Sequence, residues 1–303
     1  MIRACSFAIC CFILSAIQAQ PYIDIVQVKY THSPGAGLWG QKNQPNYFEY
    51  YNAAINLPFV VRKDSSIILI SPFVERWDIN FTNAIGNYND LPNHLNGLVL
   101  PVTYIRQVSK SWSITLSAIP RWNGNNTAIF KNSFQMGAAV LASYKKTSKL
   151  VLNAGLYYNA ELSGLFFMPL LGIDWQMGDK DNLFGVLPGN LVFEHKISSH
   201  FYCGANFKAI TNTYDAGSII YSTNNGTAAN DKYLRIDDNQ LNLFVDFYFL
   251  KHLVLNFEAG HSAFRKMRIG LKEPAVKYYY KDKMNDAFLL KLSMNYRLRF
   301  NGR

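Results

Sequence analysis

Asp246, Glu258, Lys291, Arg297 and Arg299 stand on the polar face of three period-two segments near the C-terminus, and Asp24 stands in the first comparable segment of the chain. Opposite charges along one wall can select charged or hydrogen-bonding solutes. They can equally pair with one another, because an ion left unpaired away from water costs several kcal/mol. A second group is basic: Arg265, Lys266, Arg268, Lys272, Lys277, Lys281 and Lys283 outnumber Glu273 and Asp282 around Tyr278-Tyr279-Tyr280. Such a stretch gains Coulomb energy beside phosphate groups, and otherwise serves as a solvated loop. His261 and Ser262 have the types of a base and a nucleophile, yet neighbours on a strand point to opposite faces and cannot form a dyad. His195 and His200 flank a turn without a spaced partner, and His32, His94 and His252 are isolated. No phosphate-cradling glycine loop or nucleophile elbow is present. Catalytic, cofactor and metal sites are therefore not expected.

The elements that must position these charges are strands. Leu290, Leu292, Met294, Tyr296, Leu298 and Phe300 alternate with Lys291, Ser293, Asn295, Arg297 and Arg299, so one face of the last segment is apolar and the other strongly polar. The same reading holds for 241–249, 253–260, 150–161, 134–145 and 112–122; over 67–77 both faces are apolar and Pro72 interrupts. Segments of about ten residues with this alternation are the signature of membrane-spanning β-strands. Their connections fall into two classes. Short turns are expected at 62–65, 109–111, 145–149, 178–182, 198–200 and 250–252, alternating with longer polar stretches at 32–46, 80–95, 123–131, 215–232 and 265–285. Counting crossings gives 14 strands if 183–187 and 191–197 form a hairpin around Pro188-Gly189, and 12 if that segment stays at the rim.

Composition agrees. Aromatic residues make up 15% and charged residues 17% of the 303, and the mean hydropathy of −0.04 suits strands that are apolar on one side only. A soluble sandwich also alternates, but its exposed face is polar. Here Trp112, Trp122, Tyr144, Trp175, Tyr296 and Phe300 gather near strand ends, where amphipathic rings suit a lipid–water boundary. The apolar stretch from Ala4 to Ile17 is too short to span as a helix. With Arg3 before it and small Ala19 after it, residues 1–19 are expected to be a cleaved export signal, and 20–303 a single barrel domain. Cleavage removes Cys5, Cys10 and Cys11, leaving Cys203 alone and no internal disulfide. It also lowers the formal charge from +10 to about +9, with no nucleic-acid module to accompany that sign.

The terminal segment 290–300 resembles the signal by which the barrel assembly machinery recognises its clients, although Asn301, Gly302 and Arg303 extend past the final aromatic. With the segments 169–175 and 183–188, the chain resembles an uncharacterised outer-membrane β-barrel family of the Bacteroidota type. The resemblance implies an all-β, antiparallel, up-and-down transmembrane barrel in a bacterial outer membrane. Its implied partners are membrane lipids, lipopolysaccharide, the assembly machinery and periplasmic chaperones. It implies no activity. Passive passage or binding of small solutes through the polar lumen is the leading expectation. A lipid-modifying enzyme, or an adhesive or structural barrel acting through its loops, is the alternative.

Overall fold

The computed structural model describes residues 20–34, 48–61, 66–79, 92–125, 133–223, 226–271, 280–283 and 286–300. The expected export signal, 1–19, lies outside them, as do Lys272 and Lys277. The described chain is all strand and turn, and it closes into a 14-stranded antiparallel transmembrane barrel. In chain order the strands are β1 (Tyr22–Ser33), β2 (Phe48–Ile55, continued by Leu57–Val61), β3 (Ser66–Ile70 and Phe73–Ile79) and β4 (His94–Val99 and Val102–Gln107). Then come β5 (Trp112–Gly124), β6 (Phe134–Thr147), β7 (Leu150–Glu161), β8 (Gly164–Gln176), β9 (Asp181–Leu187) and β10 (Asn190–Lys196). The last four are β11 (Phe201–Thr223), β12 (Gly226–Tyr248), β13 (Leu253–Leu271) and β14 (Tyr280–Lys283 and Ala287–Arg299). Each pairs with the next, and β14 returns to β1 with Tyr22 opposite Arg299 and His32 opposite Leu290. Closure leaves the wall without the two free edges of an open sheet, which is what lets strands cross a bilayer.

The alternation of the sequence becomes the alternation of the wall. Along Ala287–Arg297 every second side chain is buried and the others face out, Leu290, Leu292, Met294 and Tyr296 among them. Leu241, Leu243, Val245 and Phe257 continue this apolar belt across the neighbouring strands. Rings cluster at its margins: Trp112 against Tyr144 at 4.9 Å, Phe201 on Phe247 at 5.0 Å, and Trp122 against Phe134 at 5.2 Å. The tight connections after β4, β6, β8, β10 and β12 share one end with Gln20 and Phe300, here the turn end. The opposite end, where Ser33, Ile79, Gly124 and Leu271 finish their strands, is here the loop end.

Two features depart from a plain barrel. First, β9 and β10 are only 7 residues each. They join the wall, so the count is 14 and not 12, but they stop short of the loop end. Leu171 is the first residue of β8 to meet β9, and Lys208 the last of β11 to meet β10. Among the described residues the start of β8 therefore has β7 on one side and no paired strand on the other, and Pro169, which has no N–H to give a neighbour, falls within that stretch.

Second, β11, β12 and β13 run far past the hairpins that flank them, at 23, 23 and 19 residues. The stretches 215–223, 226–232 and 265–271, expected as loop, are strand, and so is Tyr280–Lys283. Bulges between Asp215 and Gly217 and opposite Asp238 break the period of two there. Polar and charged residues also occur on both faces, which imitates a loop. Arg265, Lys266 and Arg268 consequently lie on β13 and not in an outer loop. Arg265 is 2% exposed, so it cannot reach a lipid phosphate.

Candidate functional site

Beyond about Ile210 the sheet of β11–β13 leaves the line of the wall and enters the lumen. Tyr214, on one face of β11, donates to Glu75 Oε1 of β3 at 2.7 Å, while Tyr50 of β2 donates to Glu75 Oε2 at 2.9 Å. Gly97 leaves room for that carboxylate, since a Cβ there would sit 2.7 Å from Glu75 Cγ. On the opposite face of the same strand, Thr213 donates to Glu161 of β7 at 2.8 Å, and its carbonyl accepts from Gln135 of β6 and Asn123 of β5. A strand whose two faces touch the inner sides of two opposite walls must run between them.

The two faces are sealed differently. Toward β2–β4 and β14 the contact is an apolar core in which Phe48, Trp77, Leu95, Leu234, Met267 and Leu289 are all at most 1% exposed. Toward β5–β8 it is polar: Arg235 pairs with Glu161 at 2.9 Å and lies over the Phe166 ring, while Asp237 holds Arg235 and Arg268 at 3.1 and 3.0 Å. The loop half of the lumen is thus divided and filled by the barrel's own strands.

Below this partition the lumen is hollow. One cavity of about 430 Å³ is lined by charged and amide side chains of β1, β11, β12, β13 and β14. A second, of about 260 Å³, adjoins it through shared Gln20, Ile23 and Leu69 and is lined by Ile67, Ile105, Leu141 and Ile173 among others. The apolar inner residues of β3 that blur its alternation line this second space.

The structure places all six expected lumen charges inside, in three paired groups. Arg297 contacts Asp24 at 2.6 Å and Asp246 at 2.5 Å, and its guanidinium lies 3.7 Å from the Tyr22 ring centre. Glu258 accepts from Lys29 at 2.5 Å and Asn206 at 3.2 Å, with Lys291 at 3.4 Å. Arg299 pairs with Glu194 and donates to Tyr248 at 2.9 Å.

Sequence reasoning missed Lys29, Glu75, Glu161, Glu194 and Lys208. A bulge between Asp24 and Val26 moves Lys29 to the inner face, whereas unbroken alternation from Asp24 would put it in lipid. Glu194 was findable, since it shares the face of Val192 on β10, opposite to exposed Phe193. Glu75 and Glu161 meet their partners on β11 and β12 only because that sheet turns inward. His261 is exposed and Ser262 buried, on opposite sides of the wall. Among the described residues no three His, Cys, Asp or Glu side chains converge as a metal site.

Among solved structures the chain is similar to the P. putida toluene transporter TodX, at 12% identity over 93% of this chain and 91% of that one, with a TM-score of 0.37. It is also similar to the NanC porin, at 12% identity over 90% and 100%, with a TM-score of 0.39. No curated protein matches it. The family defined by a domain of unknown function (DUF6268) matches residues 16–301, and the chain belongs to that family.

Proposed function

We propose that this protein is a non-enzymatic outer-membrane barrel whose lumen is a chamber for a small polar solute, gated toward the loop end by the inward sheet of β11–β13. The observation that supports this reading is the partition. An open pore needs a continuous aqueous path, and here that path meets a packed core in which Tyr214, Leu234 and Met267 are fully buried. Beneath it a polar cavity of about 430 Å³ stays hollow. A barrel serving only as an anchor gains nothing from that cavity, because filling it with apolar side chains would stabilise the fold.

Bacterial barrels carry their short turns on the periplasmic side, so the chamber faces the periplasm. The contacts that would have to release for passage centre on two carboxylates, Glu75 and Glu161. The alternation of β14 supports recognition by the assembly machinery. Contact with lipopolysaccharide phosphates falls to Lys266 and to the basic residues that follow it in the sequence, Lys272, Lys277, Lys281 and Lys283.

Planar-bilayer conductance tests the gate. The wild type is expected to give little or no steady current. A variant with residues 212–236 replaced by Asn-Gly, which leaves Thr211 and Asp237 as neighbours across a hairpin turn, is expected to conduct. A large steady current through the wild type, or a folded but silent truncated barrel, would overturn the reading.

A further inference from the structure

We infer that the chamber takes a small oxyanion, a carboxylate or a phosphate, with Lys208 as its principal contact; this rests on the chamber reading above. The cavity is lined by four cations, Lys29, Lys208, Lys291 and Arg297, and by three carboxylates, Asp24, Asp246 and Glu258. The carboxylates are already engaged. Arg297 holds Asp24 and Asp246, while Lys29 and Lys291 share Glu258. Lys208 is left over, with no ion pair or hydrogen bond among the described residues.

Its position in the fold explains why no internal partner reaches it. Lys208 lies two residues beyond Asn206 on the inner face of β11, and Asn206 donates to Glu258. Two residues further on, Ile210 already packs on the apolar core of the partition. The ammonium therefore hangs from the roof of the chamber, above the Lys29–Glu258–Lys291 group. The two carboxylates nearer the partition spend their hydrogen bonds elsewhere, and neither makes an ion pair with Lys208. Glu75 accepts from Tyr50, Tyr214 and Asn212, and Asp238 accepts from Gln240 and Ser262 beside Arg265.

Lys29, Lys208 and Lys291 outnumber Glu258 while Asp24 and Asp246 outnumber Arg297, so the lining as a whole carries one positive charge in excess, and it lies on the lysine side of the cavity. Between low-dielectric walls a cation unmatched by a counter-charge is unfavourable. An anion of a few heavy atoms restores the balance. The amides of Asn56, Asn190 and Asn256, which line the same cavity, can serve hydroxyl groups on it. At about 430 Å³ the space suits a small solute and not a polymer segment.

The test is calorimetric titration of the refolded full barrel in detergent with inorganic phosphate and with succinate, against glucose and putrescine as neutral and cationic comparisons. At least one anion is expected to bind and neither comparison to do so, and which anion binds identifies the acid group. Lys208→Gln should weaken that binding tenfold or more with unchanged circular dichroism and melting, while Lys208→Arg retains it. Lys208→Met, with a stem of similar length, replaces the glutamine variant if that one fails to fold. Lys110→Gln, at an exposed turn, should leave binding as it is.

Absence of binding by either anion, equal binding of glucose or putrescine, or an uncharged variant at 208 that binds as the wild type does would overturn the assignment. If the assignment falls while the truncated barrel conducts, the gated chamber stands without anion preference. If the truncated barrel is silent, the chamber falls with it.

Discussion

At the scale of single residues, the weight of the lumen rests on Arg297, which is 4% exposed and serves two carboxylates at once. Removing one partner of a buried ion pair is far more damaging than replacing the whole pair, because the remaining charge keeps its desolvation penalty without compensation. Arg297→Met is expected to cost about 3–5 kcal/mol by that argument, read as a lowered urea midpoint in detergent. Adding Asp246→Asn should recover part of the loss. A single variant as stable as the wild type would show that water reaches Asp24 and Asp246 freely. Five of the six charges first singled out were legible because β12, β13 and β14 keep strict alternation through this region, and Asp24 because it precedes the bulge of β1. Lys29 was not, since one extra residue at Ile25 shifts the face of everything after it.

Among the elements, β13 carries the most informative irregularity. Phe264 has φ +54° and is 80% exposed, and Phe264 and Arg265 together oppose Asp238 of β12. The bulge switches the inner face from Ser262 to Arg265, Met267 and Ile269, which is how β13 supplies apolar side chains to the partition. A left-handed backbone disfavours any residue with a Cβ, and an exposed ring gives little back. Phe264→Gly is therefore expected to stabilise the barrel by about 0.5–1 kcal/mol, while Phe264→Ala should not, since it keeps the strain. Thermal unfolding of the two variants side by side decides this, and a destabilised glycine variant would mean that the ring has a partner in the membrane. Bulges of this kind also explain why 215–223, 226–232 and 265–271 read as loop. A period of two can be followed only while it persists, and nothing local distinguishes a charged strand facing an inner wall from a charged loop facing water.

For the whole molecule, the apolar belt and the closed ladder were readable from alternation, and the strand number followed from the short 183–197 hairpin. The partition was not, because it depends on three strands outgrowing their neighbours, a property of the assembled wall. The belt makes its own prediction. Leu243 is 69% exposed at the middle of the membrane-facing part of β12, so Leu243→Arg should cost about 2–4 kcal/mol in lipid vesicles. The same change in detergent should cost less, and equal losses in the two media would argue against a mid-bilayer position.

Closure joins Tyr22 to Arg299, nearly the full chain apart, whereas β11 and β12 pair across a connection of two residues, 224–225. The entropy of closing a loop rises with its length, so contacts of the first kind form slowly and those of the second readily. The hairpin that bars the lumen can therefore assemble while the wall is still an open sheet, and β1 must close around it. Arg297 on β14 meets Asp24 only when that seam shuts, and the same guanidinium reaches Asp246 on the barring hairpin's own strand. One side chain thus ties the last contact of folding to the element that keeps the barrel closed.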